Sequence, residues 1–452
     1  MKETWAEEEM RYLQLGDNRL KKRMQRILGD LSERPGESVP EASGNWAATK
    51  GVYRLWSNSQ VEESAIREAH YRATRDRVVG QRRILAIQDT TDLNYTGKEV
   101  AKGLGYTGND YTHGLLMHSV LAVSEVGLPL GLLNQQMWSR DKAHKNSLKE
   151  RRKKETVDKE SQRWLEGVRV TEERVPEGVE IVHIADREGD IYDLFAQPRR
   201  AGSHLLIRMN HQRRVEHESR YLWEAIHTAP VAGELSVQIT QQANREARMA
   251  RVQVRFLTLK ILPPHQQPGA GVSLQILLVE ERQPPEGTKP MVWLLATTLP
   301  VENLAEATVC IGYYTLRWLI ERFHFVLKSG CEVEKLYLQT PDRLLRALST
   351  YCMVAWRLLW LTYQARQNAD LPCITILETH EWQALYCTIH KTSTPPANPP
   401  TLGQAILWIA RLGGFLGRTH DGNPGPKTIW RGLRRLDDIA ATWLLRNPPV
   451  PP

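Results

Sequence analysis

The chain has 452 residues and a net charge of +8, because 60 Lys and Arg exceed 52 Asp and Glu. At roughly 150 residues per domain, this length predicts several domains. No apolar run approaches the ~20 residues of a membrane span, and the N-terminus lacks the apolar core of a secretory signal. The five cysteines form no CxxC pair, which argues against a disulfide framework or a structural zinc site. The expected location is therefore the reducing cytoplasm, with no membrane partner.

Residues 1 to about 70 are predicted to form a small helical domain. Leucine, isoleucine and methionine recur there at near-helical spacing between residues 13 and 31. Basic side chains lie in the same segment: Arg19, Lys22, Arg23 and Arg26. Two interpretations stay open at this point, a solvated helix face or a DNA-binding face.

Two buried strands are each predicted to end in an acid. The apolar run 84–87 leads into Gln88 and Asp89, and the run 179–185 leads into Asp186. Strands at 118–123, 128–137 and 205–208 accompany them. Because α/β sheets expose functional groups at the carboxyl ends of their strands, both acids are candidates for a site.

The rest of the chain divides by composition. Residues 140–155 are strongly basic, and most such runs are solvated. Residues from about 210 to 300 alternate strand-like runs with turns, which predicts a β-rich insertion. Residues 302–366 return to a helical pattern, and the region 366–452 is predicted to end in a further helical module after a proline-rich linker.

A helix predicted over residues 313–328 carries a polar face. Tyr314, Arg317, Glu321 and Lys328 follow one another at spacings of 3, 4 and 7, so they lie within about 60° of one another on a helix ~21 Å long. Surface i,i+4 pairing is one interpretation of this pattern. The other is a buried helix, because Trp318 and other apolar residues cover much of its remaining circumference.

A divalent cation would reconcile three acids in one site. Asp89, Asp186 and Glu321 would repel one another if all three were ionised without a cation. Mg²⁺ prefers oxygen ligands and brings phosphate oxygens with it, and Mn²⁺ is expected to substitute for it. Two such ions about 4 Å apart can activate an attacking oxygen and stabilise a leaving one in phosphodiester chemistry. Arg317 and Lys328 would then hold backbone phosphates beside the metal.

The pattern Y-x2-R-x3-E-x6-K at Tyr314, Arg317, Glu321 and Lys328 resembles that of the bacterial insertion-sequence DDE transposases, which include the transposon-five transposase. The runs 89–91 (Asp-Thr-Thr) and 185–188 (Ala-Asp-Arg-Glu) look like that family's two aspartate motifs. The runs 15–17 and 51–54 resemble its DNA-binding domain, and 409–415 resembles its dimerisation region. The resemblance spans nearly the whole chain, and it is most specific when the four-residue pattern and both aspartate motifs are taken together.

The resemblance implies an α/β fold in which an RNase H-like catalytic core at 71–365, with the β-rich insertion at about 210–300, is flanked by helical regions. Residues 1–70 would bind DNA and residues 366–452 would dimerise. The implied triad is Asp89, Asp186 and Glu321. Glu188 is either an acid that supports the metal ligands or a surface partner of Arg187.

The resemblance also implies DNA contacts. Tyr314 would join the phosphate-binding residues, and Arg208 matches a DNA-contacting arginine of the family. Trp293 stands where the family places a tryptophan that stacks on a flipped base, although packing in an apolar strand is the alternative. Trp318 would either brace that base or pack.

The implied function is cut-and-paste DNA transposition. A homodimer in a paired-end complex would bind the terminal inverted repeats, cleave through a hairpin intermediate and join the 3′-OH ends to target DNA, in association with the nucleoid. Two alternatives remain: an RNase H-like nuclease without strand transfer, and a catalytically silent relative that only binds DNA.

Overall fold

The fold is described from a computed structural model. It describes residues 4–108, 111–140, 160–239, 248–265, 269–418 and 421–448. Apart from Arg140, the basic run predicted at 140–155 lies outside these residues.

The N-terminal region is helical, as predicted, and contains five helices. Asp17 caps the second of them through its side chain, and Leu20, Met24, Ile27, Leu28 and Leu31 form its buried face. An Nη2 nitrogen and the Nε of Arg34, just after this helix, bind Asp438 and Asp437 near the C-terminus at 2.8 and 2.6 Å. The helices are α1 (Trp5–Glu9), α2 (Asn18–Glu33), α3 (Val39–Ser43), α4 (Trp46–Ser57) and α5 (Glu63–Val78).

The described residues form a nine-stranded sheet at the centre of the molecule. All five strands predicted before residue 210 are present, and β-structure also occurs in the stretch predicted at 210–300. The strands are β1 (Arg83–Asn94), β2 (Gly114–Ser124), β3 (Pro129–Trp138), β4 (Glu180–Ala185), β5 (Ser203–Arg208), β6 (Gly233–Ile239), β7 (Arg248–Ile261), β8 (Val272–Glu281) and β9 (Val292–Thr297).

The strand order is β3-β2-β1-β4-β5-β9-β8-β7-β6. β1 pairs antiparallel with β2 but parallel with β4, and β4 pairs parallel with β5. All pairs from β5 to β6 are antiparallel, so the β-rich stretch continues the same sheet through β9. The sheet is therefore mixed, with its parallel part at the centre.

Both faces of the central strands are buried. Leu85 and Ile87 of β1 join one hydrophobic cluster, whereas Ile84 and Ala86 join another on the opposite face. This explains why the strand appears as a continuous apolar run rather than an alternating one. Helices between and after the strands provide the cover: α6 (Gln162–Arg174), α7 (Tyr192–Ala196), α8 (Leu222–Thr228), α9 (Leu304–Thr315), α10 (Trp318–Phe325) and α11 (Pro341–Gln367).

The prediction of one uninterrupted helix over residues 313–328 is wrong. The Thr315 hydroxyl donates to the Gly312 carbonyl, and the Leu316 amide bonds to the Tyr313 carbonyl three residues back. A side chain that competes for a carbonyl in this way tightens the turn. The chain therefore passes from α9 through a short turn into α10, and residues Val326–Gly330 continue as a π-helix.

The C-terminal region is helical, as predicted. Its helices α12 (Thr379–His390), α13 (Leu402–Leu412) and α14 (Pro426–Arg446) share one hydrophobic cluster with the end of α11. In the described part of the chain, no helix combines the length and the apolar character that crossing a membrane requires.

Candidate active site

Asp89 and Asp186 lie at the same level of the sheet. The parallel strands β1 and β4 pair Ile87 with Ile184, and each aspartate follows two residues after one of this pair. Asp186 also caps the short 3₁₀ turn Arg187–Gly189, since its Oδ1 accepts the Glu188 amide at 2.9 Å. The fold thus brings the two acids together from positions nearly 100 residues apart, as their shared strand-end context predicts.

Glu321 reaches the same site from α10. Its carboxylate pairs with the guanidinium of Arg317 one helical turn earlier, and 47% of its side chain is exposed. The Arg317 side chain is only 16% exposed. The tight turn that separates α9 from α10 therefore still leaves these two residues on one face.

The pKa of Asp89 depends on the charges of the other two acids. Burial raises the pKa of Asp89 to about 7, and the charges of Asp186 and, to a smaller extent, Glu321 add to the effect. The Arg317 guanidinium and the Thr90 amide act in the opposite direction. A half-buried carboxyl whose neighbours include two further acids is typical of a site that accepts a cation or a proton.

A hard divalent cation fits the chemistry of this donor set, because all three candidate ligands supply carboxylate oxygens. Within the described ranges, however, no three His, Cys, Asp or Glu side chains lie close enough together to hold one ion.

Several residues predicted to contact DNA gather on the β5–β9 side of the acids. Trp293 of β9 meets the Tyr314 ring edge-on with 5.0 Å between ring centroids. Arg208, at the end of β5, donates to the carbonyl of Val292 at 3.0 Å. Burial lowers the pKa of Arg208, and the nearby Arg187 and Arg317 charges add to that effect. The Tyr314 hydroxyl is buried, and the guanidinium groups of Arg208 and Arg317 are its charged neighbours.

Trp318 and Lys328 are placed differently. The Trp318 ring packs edge-on against Tyr363 of α11 at 6.2 Å and lies beneath the Arg322 guanidinium. Lys328 lies within the π-helix, where its Nζ donates to the carbonyl of Asp92 at 2.8 Å and lies 3.7 Å from Glu334. Lys328 thus neighbours the end of β1, three residues beyond Asp89, whereas Trp318 takes part in helix packing.

Glu188 pairs with Arg163 rather than with Arg187, the partner considered from the sequence. The Glu188 carboxylate accepts from an Nη2 nitrogen of Arg163 at 2.8 Å. The Nε of the same arginine donates to the Thr90 hydroxyl at 3.0 Å. Arg163 was not identified from the sequence, because it lies 73 residues from Thr90 and no motif marks it.

An open cleft of about 310 Å³ adjoins the end of β1. Three consecutive β1 residues, Thr90, Thr91 and Asp92, contribute to its wall, together with Trp138, Arg163 and Glu188. The cleft is lined by hydroxyl, carboxylate and guanidinium groups, so it is suited to a polar ligand rather than an apolar one.

We expect Asp89→Asn to stabilise the protein in the absence of divalent cations. A carboxyl whose pKa rises from 3.8 to about 7 on folding is more costly to ionise in the native state, so the native state loses stability as pH rises from about 4 to 7. Removing this carboxyl should raise the free energy of unfolding by about 1–2 kcal/mol at pH 8, allowing for partial solvent screening. The gain should be smaller at pH 5, and urea unfolding at both pH values measures it.

The exposed Asp370 supplies the control for that experiment. Asp370 lies just beyond α11 and is exposed, so Asp370→Asn should change stability little at either pH. A lower stability of Asp89→Asn than of wild type at pH 8 would contradict the electrostatic description of the site.

The basic residues predicted on the N-terminal domain lie on the outer face of α2. Arg19 and Arg26 expose 89% and 69% of their side chains, and each has an acidic neighbour, Asp17 at 2.9 Å and Asp30 at 3.9 Å. Lys22 and Arg23 are also exposed. All four therefore remain accessible while the apolar face of α2 is buried.

Two protein-family models match segments of the chain, one near each end. Residues 2–61 match the family model described as transposase DNA-binding, and residues 353–442 match the model described as the transposase Tn5 dimerisation domain. The second match begins at residue 353 within α11, whereas the sequence predicted that the C-terminal region begins at residue 366. These two matches support a transposase that binds DNA and forms a homodimer. Within that class both matches support a Tn5-like transposase, which confirms the resemblance found in the sequence.

Proposed function

We propose that the protein is a cut-and-paste DNA transposase whose catalytic acids are Asp89, Asp186 and Glu321. The observation that carries the proposal is the placement of two aspartates at one level of adjacent parallel strands, with the charge of Glu321 reaching the same point. Transposases cleave DNA and transfer strands, so an acidic site in this position is where phosphoryl transfer is expected.

We further propose that the first five strands form the family's RNase H-like core. Its support is the mixed order β3-β2-β1-β4-β5, antiparallel on one side of β1 and parallel on the other. Residues 71–365 would form the catalytic domain, with the strands between 210 and 300 as its insertion.

Mg²⁺ is the proposed cofactor, with Mn²⁺ as a substitute, and the three acids would hold it. When bound, it would supply charge stabilisation to the attacking and leaving oxygens of the phosphodiester. The chain's own contribution is to orient the carboxylates: the Thr90 amide donates to Asp89 and the Glu188 amide to Asp186. Arg317 would hold Glu321 in position and contact a DNA phosphate through its remaining donors.

The DNA strand near the cleaved bond is proposed to run between the acids and Trp293. Tyr314 and Arg208 lie on that side and would bind phosphate or sugar oxygens, and Lys328 would contact a phosphate near Asp92. Trp293 would stack on a flipped base, which the hairpin step requires. Because Trp318 packs against Tyr363, its proposed part is to support Arg317 and α10 rather than to stack on a base.

The ends of the chain would assemble the complex. Arg19, Lys22, Arg23 and Arg26 on α2 are proposed to bind the terminal inverted repeats through phosphate contacts, whose strength should fall with salt. The C-terminal helices would pair two protomers, each with one DNA end. The freed 3′-OH would attack first the opposite strand, forming a hairpin, and, after the hairpin opens, the target DNA.

The deciding experiment is a cleavage assay on DNA that carries the element's ends and flanking sequence, read on denaturing gels with and without Mg²⁺. The proposal expects nicked, hairpin and joined products. Nicks without hairpin or joined product would favour the nuclease alternative. Binding without any cleavage would favour the silent relative.

A further inference from the structure

Arg163 connects the two strand ends that carry the aspartates. On the β1 side its Nε donates to the Thr90 hydroxyl at 3.0 Å, and on the β4 side an Nη2 nitrogen donates to Glu188 at 2.8 Å. Thr90 directly follows Asp89, and Glu188 lies two residues after Asp186. A third donor, Nη1, binds the carbonyl of Glu160 at 2.8 Å.

The guanidinium is held in place from several directions. Its side chain is 13% exposed, and it lies 5.6 Å from the ring centroids of both Trp138 and Trp164. Because all three of its nitrogens already donate, few donors remain for a DNA phosphate. An arginine fixed in this way acts as a rigid fork between two groups, which a lysine cannot reproduce.

The Thr90 hydroxyl, which accepts from Arg163, is itself held by a hydrogen bond to a neighbour within the sheet. Arg163 only donates, so the Thr90 hydroxyl accepts from it and donates its own proton to Nδ1 of His118, 2.9 Å away. Burial lowers the pKa of His118 far below its usual value, so the ring is neutral. Its Nε2–H then donates to the Gln88 side-chain oxygen at 3.1 Å. Successive hydrogen bonds link the side chains along this path, which restricts their movement.

We infer that Arg163 is a positioning residue that sets the separation and orientation of Asp89 and Asp186 for metal binding. It acts through Thr90 and Glu188 and does not contact the DNA. The inference rests on the proposed function, because it assigns Arg163 a role in the same acidic site. Groups that orient metal ligands without touching the metal typically change metal affinity or activity by about 10- to 100-fold when removed.

The test compares Arg163→Gln and Arg163→Lys with wild type in the full-length protein. Mn²⁺ affinity is measured by electron paramagnetic resonance, and binding of end DNA is measured by gel shift in EDTA. We expect both variants to bind Mn²⁺ about 10- to 100-fold more weakly and DNA with unchanged affinity. Arg163→Lys should not restore Mn²⁺ affinity, since lysine keeps the positive charge but lacks the planar guanidinium that binds two groups at once. Arg169→Gln is the matched control, because Arg169 lies on the same helix, is 55% exposed and pairs with Glu166 and Glu173 rather than with Thr90 or Glu188.

Two further variants test whether Arg163 acts through its partners. Thr90→Val removes the hydroxyl at nearly constant shape and should weaken Mn²⁺ binding similarly, even if the Arg163 variants fold poorly. Glu188→Gln combined with Arg163→Gln should weaken Mn²⁺ binding no more than Arg163→Gln does alone. Unchanged Mn²⁺ affinity in the variants would overturn the inference, and so would a parallel loss of DNA binding in EDTA, which would make Arg163 a phosphate contact. If wild type binds Mn²⁺ but cleaves no DNA, the proposed function fails while the positioning role can still be measured.

Discussion

Alanine substitution of Asp89, Asp186 or Glu321 is expected to reduce Mg²⁺-dependent DNA cleavage to the detection limit while leaving end binding nearly unchanged. Residues that only orient metal ligands cost about 10- to 100-fold when removed, so loss of a ligand itself should cost more. End binding should persist because the family match at residues 2–61 lies in a different part of the chain. Denaturing gels measure cleavage, and gel shifts in EDTA measure binding.

Asp370→Ala is the control for these three variants, since it removes an exposed aspartate outside the site. It should cleave and bind like wild type. If any one of the three alanine variants retains Mg²⁺-dependent cleavage, that residue does not belong to the triad. If binding disappears together with cleavage, the variant has lost its fold and the conservative Asp→Asn or Glu→Gln replacement decides instead.

The site's central geometry could be predicted because it depends on local patterns. Buried apolar runs that end in Asp89 and Asp186 specify two strands, and parallel neighbours in a sheet present their carboxyl ends at the same edge. The four-residue spacing from Arg317 to Glu321 likewise predicts an ion pair across one helical turn, and this pair is present in the structure. Each strand end and the helical pair are thus specified within a few residues of sequence, whereas the pairing of β1 with β4 joins positions nearly 100 residues apart.

The remaining features depend on competition or on distant partners. The turn between α9 and α10 arises because the Thr315 hydroxyl competes for the Gly312 carbonyl, and helix periodicity does not register such competition. Arg163 reaches Thr90 across 73 residues, and the packing of α6 against the sheet brings them together. Trp293 and Trp318 look alike in the sequence, yet one faces the Tyr314 ring beside the acids and the other packs against α11.

Trp293→Ala is expected to nick DNA normally but to form little hairpin. Trp293 is half-buried and meets Tyr314 next to the acidic site, so its ring can support a base turned out of the duplex. Stacking on an aromatic ring contributes about 1–3 kcal/mol per base, which corresponds to about a 5- to 150-fold lower ratio of hairpin to nicked product. Trp293→Phe should retain much of the wild-type ratio, because phenylalanine preserves a stacking surface. Time courses on denaturing gels measure both species.

Two comparisons distinguish base stacking from general damage to the site. Trp223→Ala removes another half-buried tryptophan in the same strand-rich stretch, which stacks on His227 at 6.3 Å, and should leave the product ratio unchanged. A preformed hairpin substrate bypasses base flipping, so Trp293→Ala should open it at nearly the wild-type rate if the acids are intact. A normal hairpin yield in Trp293→Ala would refute the stacking role. Equal losses in nicking and hairpin opening would instead mean that Trp293 supports the position of Tyr314 and Arg208 in the site.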